Sequence, residues 1–184
     1  MPDLRRRPVY FADLAEPNLI AREGGGGLNA FRHAPAAACL AEWPVDVVEQ
    51  WPHGHAHHAA FVTDYGHIDL STLQWSVEGI SLEDLIVMPT GASESDLIDY
   101  FAKDPEHWVR VRNSGHHQGV REMWDIHGTW KRWPILIDRG LVTPGAEGLQ
   151  VIEGRTRVGV LRGRTRLGLT VALQHLAWVA RTRS

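Results

Sequence analysis

The stretch from Trp133 to Gly163 contains the residues best suited to chemistry, because two arginines follow a glycine at the predicted start of a helix. The pattern predicts strands over 134–137 and 149–152, a turn between them, and a helix that opens at Arg155. The first backbone N–H groups of a helix have no intrahelical partner and carry the positive end of its dipole, so a phosphate is stabilised there. Arginine side chains add charge-assisted, often bidentate, hydrogen bonds. The predicted anion site consists of Gly154, Arg155, Thr156 and Arg157.

The segment VIEGRTRVGVLRG resembles the signature of the ParB/sulfiredoxin superfamily, in which a strand ends in a Gly-x-x-Arg turn that opens a helix and holds nucleotide phosphates. Gly154 falls on the family glycine and Arg157 on its arginine. The resemblance extends from Leu73 to the C-terminus. LQWSVEGISLEDLIVMPTGASESDL is similar to the first strand and the segment after it, and QHLAWVAR is similar to the last strand. It implies an α+β fold with a small mixed sheet flanked by helices.

Position 155 separates this chain from two well-defined branches of that superfamily. Sulfiredoxin has a reactive cysteine after the glycine and ParB proper has a glutamate, whereas this chain has Arg155. The resemblance therefore implies neither the cysteine-based repair reaction of sulfiredoxin nor the nucleotide hydrolysis of ParB for this chain. What it implies is binding of ATP or another nucleotide, with or without Mg²⁺.

A phosphoryl-transfer or hydrolysis reaction at this turn would need a carboxylate to orient the attacking group. The resemblance points to Glu94, because it follows the predicted strand end at 88–90, where kinase-like relatives hold an acidic residue. Glu153 and Asp138 are alternatives, and the sequence does not rank the three. The leading hypothesis is thus a nucleotide-binding protein with these three candidate catalytic residues.

Proline and glycine content divides the chain into two parts. Residues 1–41 hold scattered prolines and four consecutive glycines at 24–27, whose conformational entropy is costly inside a helix or strand. An irregular arm is therefore predicted there, and removal of residues 1–27 is expected to shift the melting temperature by no more than a few degrees. Residues 42–184 are expected to form a single domain, with a helical lead-in before the first strand at about residue 72.

Short strands and helices are predicted to alternate within that domain. Alternating apolar residues predict a strand from Leu73, and the segment 81–86 is expected to be a turn before a short strand that ends at Pro89. A capping box at Ser93 predicts a helix, and a run without breakers predicts another over about 117–126. This alternation favours α+β architecture over a helical bundle.

Charge is distributed unevenly along the chain. The net charge is −3, yet the last 31 residues contain seven arginines and no acidic residue. Such asymmetry favours an anionic partner, although a solvated arginine-rich helix face gives the same count.

No apolar run is long enough to cross a membrane, no secretory signal is recognisable, and Cys39 is the single cysteine. We therefore expect a cytoplasmic protein without a membrane partner.

Histidines and tryptophans are the remaining candidates for a functional role. Four histidines lie within 53–58, but their spacing lacks the pattern of a zinc site, so surface or interface histidines are predicted and no metal site is assigned. Trp75, Trp133 and Trp178 fall in strand-like patterns and are expected in the core. The other five tryptophans are predicted to pack in the core, and a surface that binds bases or protein is the alternative.

Two alternative functions remain open. A protein-interaction module, such as an antitoxin, an immunity protein or a phage-defence accessory, would use the Trp- and His-rich amino-terminal half, because aromatic residues are enriched in interface cores. A ParB-like nucleic-acid binder or nuclease would place Arg162, Arg164 and Arg166 along phosphates. The sequence shows no helix-turn-helix domain after this fold, and a pI of about 6.4 is low for that class.

Overall fold

The computed structural model describes residues 7–183, except for the side chain of His116. Contacts divide the chain into two compact units, each assembled from segments that are distant in sequence. Of the described residues, the first unit contains 7–75, 138–148 and 180–183. The second unit contains Ser76–Ile137 and Leu149–Val179.

The first unit is mainly helical and packs around aromatic side chains. Trp51 is fully buried, with its ring stacked on Phe11 at 5.1 Å between centroids and in edge contact with Tyr65 at 6.3 Å. Its helices are α1 (Ala15–Glu23), α2 (Gly27–His33), α3 (Val45–Val48), which is followed by the π-helical turn Glu49–His53, and α4 (Ala59–Tyr65). Short 3-10 turns occur at Phe11–Leu14, Pro35–Leu40 and Leu70–Thr72.

The amino-terminal segment is not the irregular arm that the sequence predicts. Phe11, Leu14 and Phe31 are fully buried, and most of the segment is helical. The glycine tract forms only the short link between α1 and α2, where Gly25 adopts a φ of +70°. Burial of a few large side chains therefore outweighs the unfavourable composition. Removal of residues 1–27 would take part of this core away, so a small effect on the melting temperature is no longer expected.

The second unit contains most of a four-stranded mixed sheet, which together with the helices gives the α+β class that the sequence predicts. The strands are β1 (Leu73–Ser81), β2 (Ile135–Asp138), β3 (Leu149–Glu153) and β4 (Gln174–Thr182), in the order β1-β4-β2-β3. The helices are α5 (Leu82–Val87), α6 (Leu97–Ala102), α7 (Pro105–Val111), α8 (Val120–His127) and α9 (Arg155–Arg166). Within residues 7–183, no helix has the length and apolar character needed to cross a bilayer.

The elements around the predicted anion turn are confirmed. The strands expected over 134–137 and 149–152 are β2 and β3, which are neighbours in the sheet, and α9 begins at Arg155. Two glycines then allow α9 to approach α6 and α7 closely. A Cβ at Gly159 would lie 2.4 Å from the Cβ of Phe101, and one at Gly163 would lie 2.6 Å from the carbonyl oxygen of Ala102. The middle of α9 is thus packed closely against α6 and the start of α7.

The segment 81–86 is helical, where the sequence predicts a turn and a strand. The Ser81 hydroxyl accepts a hydrogen bond from the Asp84 N–H at 3.1 Å and caps α5, whose first turn is acidic. Leu85 is fully buried. A six-residue helix is too short for its apolar pattern to be distinguished from that of a strand. The strand-like pairing expected near Pro89 occurs at Thr90, which forms a parallel bridge with Val151.

Tryptophan burial differs from the sequence prediction. Trp75, Trp133 and Trp178, expected in the core, are only half-buried. Of the other tryptophans, Trp108 is half-buried and four have relative exposures of 4% or less: Trp43, Trp51, Trp124 and Trp130. A strand pattern indicates alternation but does not show which face of the strand is covered, and this explains the error.

Replacing Phe11 with Ala is expected to lower the free energy of unfolding by about 3–5 kcal/mol, because it removes a buried ring and leaves a cavity beside Trp51. Urea unfolding followed by tryptophan fluorescence measures the change. Ile20→Ala on α1 is the matched control, since Ile20 is 63% exposed and should cost no more than about 0.5 kcal/mol. Similar small losses for both variants would contradict docking of the amino-terminal segment.

Candidate functional site

The turn between β3 and α9 requires glycine. Gly154 has a φ of +104°, in the left-handed region that side chains other than glycine rarely adopt. A Cβ there would lie 2.6 Å from the Cβ of Pro134 and 3.0 Å from Nε of Arg157. As the N-cap residue, Gly154 contributes no capping side chain to a helix of 12 residues. The backbone therefore leads directly into the first turn of α9, as the motif predicts.

Arg155 joins the turn to a second chain segment. Its guanidinium Nη1 lies 2.7 Å from Oε2 of Glu94, and its Nε donates to Oγ1 of Thr90 at 3.0 Å. Thr90 in turn donates to the carbonyl oxygen of Val151 at 2.8 Å. The candidate carboxylate Glu94, distant in sequence, is thus brought to the head of α9. The Arg155 side chain is only 8% exposed, which favours a role in holding this arrangement.

Arg157 joins the turn to a third segment. Its Nη2 lies 3.1 Å from Oε1 of Glu153, four residues earlier. Its Nη1 donates to the carbonyl oxygens of Arg132 at 3.0 Å and Trp133 at 3.2 Å, on the chain that leads into β2. The Arg157 and Glu153 side chains are 19% and 24% exposed, so this pair is more accessible than Arg155. Thr156, between the two arginines, is half-buried.

Asp138, the third candidate carboxylate, has separate partners within the first unit. Its Oδ1 accepts the N–H of Gly140 at 2.9 Å and caps a 3-10 turn over Arg139–Leu141. Its Oδ2 lies 3.8 Å from Nη1 of Arg181. The first contact closes this turn, and the second joins Asp138 to β4. The contacts described for Glu94 and Glu153 thus join those two carboxylates, and not Asp138, to the arginines of the turn.

Charge at the turn is balanced by these contacts. Each arginine pairs with a glutamate: Arg155 with Glu94, and Arg157 with Glu153. An incoming phosphate would therefore compete with a carboxylate for each guanidinium. Competition is easier at Arg157, because solvent reaches that pair more readily and weakens it. An anion that bound at the head of α9 would therefore have to displace a glutamate from an arginine.

The later arginines of α9 have structural partners that the sequence did not reveal. Arg164 is 3% exposed, and its guanidinium lies 2.5 Å from Glu106, 3.3 Å from Asp125 and 5.8 Å from the centre of the Trp124 ring. Arg164 lies three residues after the buried Leu161, so the helical period places both on the same face of α9. This spacing could have indicated from the sequence that Arg164 is buried. These contacts account for much of the carboxy-terminal positive charge. Because its guanidinium is buried in these contacts, Arg164 cannot also contact the phosphates of a nucleic-acid backbone.

Arg162 and Arg166 share the remaining acidic partner on this side of α9. Asp99 lies 3.6 Å from Arg162 and 3.2 Å from Arg166. Arg162 also donates to the carbonyl oxygens of Leu85 and Met88. Of these two arginines only Arg166 is well exposed, at 59% for its side chain. The predicted arginine track of a nucleic-acid binder is therefore reduced to one exposed guanidinium on this helix.

Elsewhere in the chain, the histidines of the 53–58 segment lie in the first unit and contact one another and nearby aromatic rings. Among the residues that the structure describes, no group of three or more His, Cys, Asp or Glu side chains is arranged to hold a metal ion.

Replacing Gly154 with Ala is expected to lower the free energy of unfolding by at least about 2 kcal/mol, because it adds both backbone strain and a clash with Pro134. Gly168→Ala is the matched control: Gly168 also has a positive φ, of +65°, but a Cβ there would meet nothing within 4 Å. Chemical denaturation of both variants measures the difference. Equal losses would show that the close contact at the turn is unimportant.

Comparison with known proteins does not assign the turn to a family. No family model matches the chain, and neither a curated protein nor a solved structure matches it. The relationship to the ParB/sulfiredoxin superfamily therefore stays a prediction from the motif.

Proposed function

We propose that this protein binds a nucleotide of the ATP type through a phosphate at the head of α9. The observation that supports the proposal most directly is the convergence of three segments on one glycine turn. Residues 90–94, 132–134 and 153–157 there contribute two arginines, two glutamates and the first turn of a 12-residue helix. A helix N-terminus combined with guanidinium groups is a favourable environment for a phosphate.

The two arginines have different roles in this proposal. Arg157 is the phosphate-binding residue, because its side chain is more exposed and its glutamate pair is easier to exchange. Arg155 is a positioning residue that holds Glu94 beside the turn, since its own side chain is buried and bonded to Thr90. Thr156 and the backbone N–H groups of the first turn complete the phosphate contacts.

Glu94 and Glu153 are the candidate carboxylates for any reaction at the bound nucleotide. Binding of phosphate to Arg157 would displace Glu153 from that guanidinium, and a carboxylate beside a bound phosphate can orient a nucleophile or bind Mg²⁺. Asp138 is the weaker candidate, because its carboxylate already caps a turn in the first unit. Phosphoryl transfer and nucleotide hydrolysis are both compatible with this set of residues.

The nucleic-acid alternative receives less support from the arginine contacts. Arg164 is buried against two carboxylates, and Arg162 is bonded to backbone carbonyl groups. The protein-interaction alternative stays a prediction, since no contact described here favours a particular protein partner.

Arg157→Ala is expected to weaken nucleotide binding by about 1.5–3 kcal/mol, or roughly tenfold to a hundredfold, because it removes a hydrogen bond to a charged group. Isothermal titration with ATP, ADP, CTP and GTP, each with and without Mg²⁺, measures the affinity. Arg166→Gln is the control, since Arg166 lies at the other end of α9 and is exposed. Absence of binding by the unmodified protein, or equal small effects of both variants, would contradict the proposal.

Thr156→Glu separates binding from folding at the same turn. A carboxylate in the first turn stabilises a helix by about 0.3–1 kcal/mol through the dipole, yet it repels a phosphate placed there. We therefore expect an unchanged or slightly raised melting temperature together with at least about tenfold weaker nucleotide binding. Melting curves and titrations on one preparation provide both values. A variant that keeps full affinity would place the nucleotide elsewhere.

A further inference from the structure

A buried polar network in the first unit fastens α1 to the segment 52–57. Asn18 is fully buried, and its side-chain amide donates to the carbonyl oxygens of Pro52 at 3.3 Å and His53 at 2.7 Å. Arg22, one turn later on α1, donates to the carbonyl oxygens of His53 at 2.8 Å and Gly54 at 3.2 Å. Two side chains of one helix therefore hold three consecutive carbonyl groups of another segment.

His57 completes this network and requires a particular protonation state. Its Nδ1 lies 2.8 Å from Oδ1 of Asn18, which also accepts from Nε of Arg22 at 3.1 Å. An amide oxygen only accepts, so Nδ1 of His57 carries the proton and donates it. The neutral imidazole already satisfies this contact. A second proton on the ring would add only positive charge beside the Arg22 guanidinium.

His53 is the second imidazole that favours the neutral state. Its Nε2 is buried and has no hydrogen-bond partner among the residues that the structure describes. The ring lies 5.6 Å from Phe31 of α2, an apolar neighbour that offers no acceptor. Protonation of His53 would therefore place a new N–H donor in a position without an acceptor, which is costly in a buried environment.

The surrounding charges act in the same direction. Burial, followed by the nearby Arg22 cation, lowers the pKa of His53, and Glu49 opposes this only in part. Burial, then Arg22, then His58, His55 and His53 lower the pKa of His57. The other rings contacted by this segment, including Phe61 of α4, are aromatic and carry no charge.

We propose that Asn18, Arg22, His53 and His57 form an acid-sensitive latch. Neutral imidazoles allow α1 to stay fastened to the segment 52–57, and their protonation releases α1 from it. At acid pH the rings of His53 and His57 would each gain a positive charge near the permanent charge of Arg22. The latch would thus couple proton concentration to exposure of the amino-terminal helix.

The sign of the pH dependence follows from the lowered pKa values. The unfolded histidines bind protons more readily than the folded ones, so latch stability is complete above the ordinary histidine pKa of about 6.5. It is lost as the pH falls from there through the lower pKa of the folded state. Release of α1 is therefore expected as the pH falls below the ordinary histidine pKa of about 6.5.

Hydrogen–deuterium exchange of the full chain tests the latch. Peptides covering Ala15–Glu23 should lose protection by about tenfold or more between about pH 7.5 and pH 5, after correction for the intrinsic exchange rate. Peptides from α9, in the other unit, should keep theirs. Unchanged protection of α1 in the unmodified protein at pH 5, or equal loss over both units, would overturn the proposal.

A double variant, His53→Gln with His57→Gln, tests whether these imidazoles are responsible. Glutamine cannot gain a charge, so α1 should stay protected at pH 5 in this variant. His33→Gln is the matched control, because His33 is an exposed histidine of α2 that bonds only to the carbonyl oxygen of Asn29 among the contacts described. Acid release that persists in the double variant, or disappears in the control, would overturn the assignment. If the double variant does not fold, the single variant His53→Gln applies the same test. This variant is expected to release α1 at a lower pH than the unmodified protein does.

Discussion

Ion pairing between the arginines of α9 and carboxylates from other elements is the interaction on which the second unit depends. The buried guanidinium of Arg155 pairs with Glu94, and the buried guanidinium of Arg164 pairs with Glu106 and Asp125. Buried pairs of this kind add little net stability over apolar side chains, but removal of one partner leaves an uncompensated buried charge. The pairs therefore specify the position of α9, and with it the position of the turn at its head.

This constraint also determines how a ligand could bind. The turn gathers positive charge and the helix dipole, but two glutamates already balance its arginines. In the proposed function, a phosphate would gain only the difference between its own contacts and those it displaces, so the more exposed Arg157 would have the larger effect on affinity. The buried Arg155 would keep its contacts during that exchange. The same pairing explains why a strongly basic carboxy-terminal sequence does not produce a strongly basic helix surface.

The sequence predicted the turn well because its determinants are local. A strand with apolar residues on both faces, a glycine and an immediate helix start are visible in consecutive residues, and the positive φ of Gly154 matches the motif. The resemblance suggested Glu94 as a candidate carboxylate for the turn, but its pairing with Arg155 was not predicted. The burial of Arg164 was missed, because its partners come from two other helices.

The amino-terminal half was predicted less well because tertiary burial determines its structure. Its helices are short, and isolated helices of such length are marginal in water, so composition argued against them. Phe11 and Trp51 provide stability that no local pattern displays. The histidine segment shows the same limit: its spacing argued against a metal site, but the partners Asn18 and Arg22 lie more than 30 residues earlier.

The most direct test of the central claim is a map of backbone amide chemical shifts in the full chain during addition of ATP with Mg²⁺. The account predicts saturable shifts that are largest at Arg155, Thr156 and Arg157, with smaller changes at Glu94 and Trp133, whose contacts with the arginines would alter. Shifts confined to other parts of the chain, or none at concentrations that saturate ordinary nucleotide sites, would contradict it.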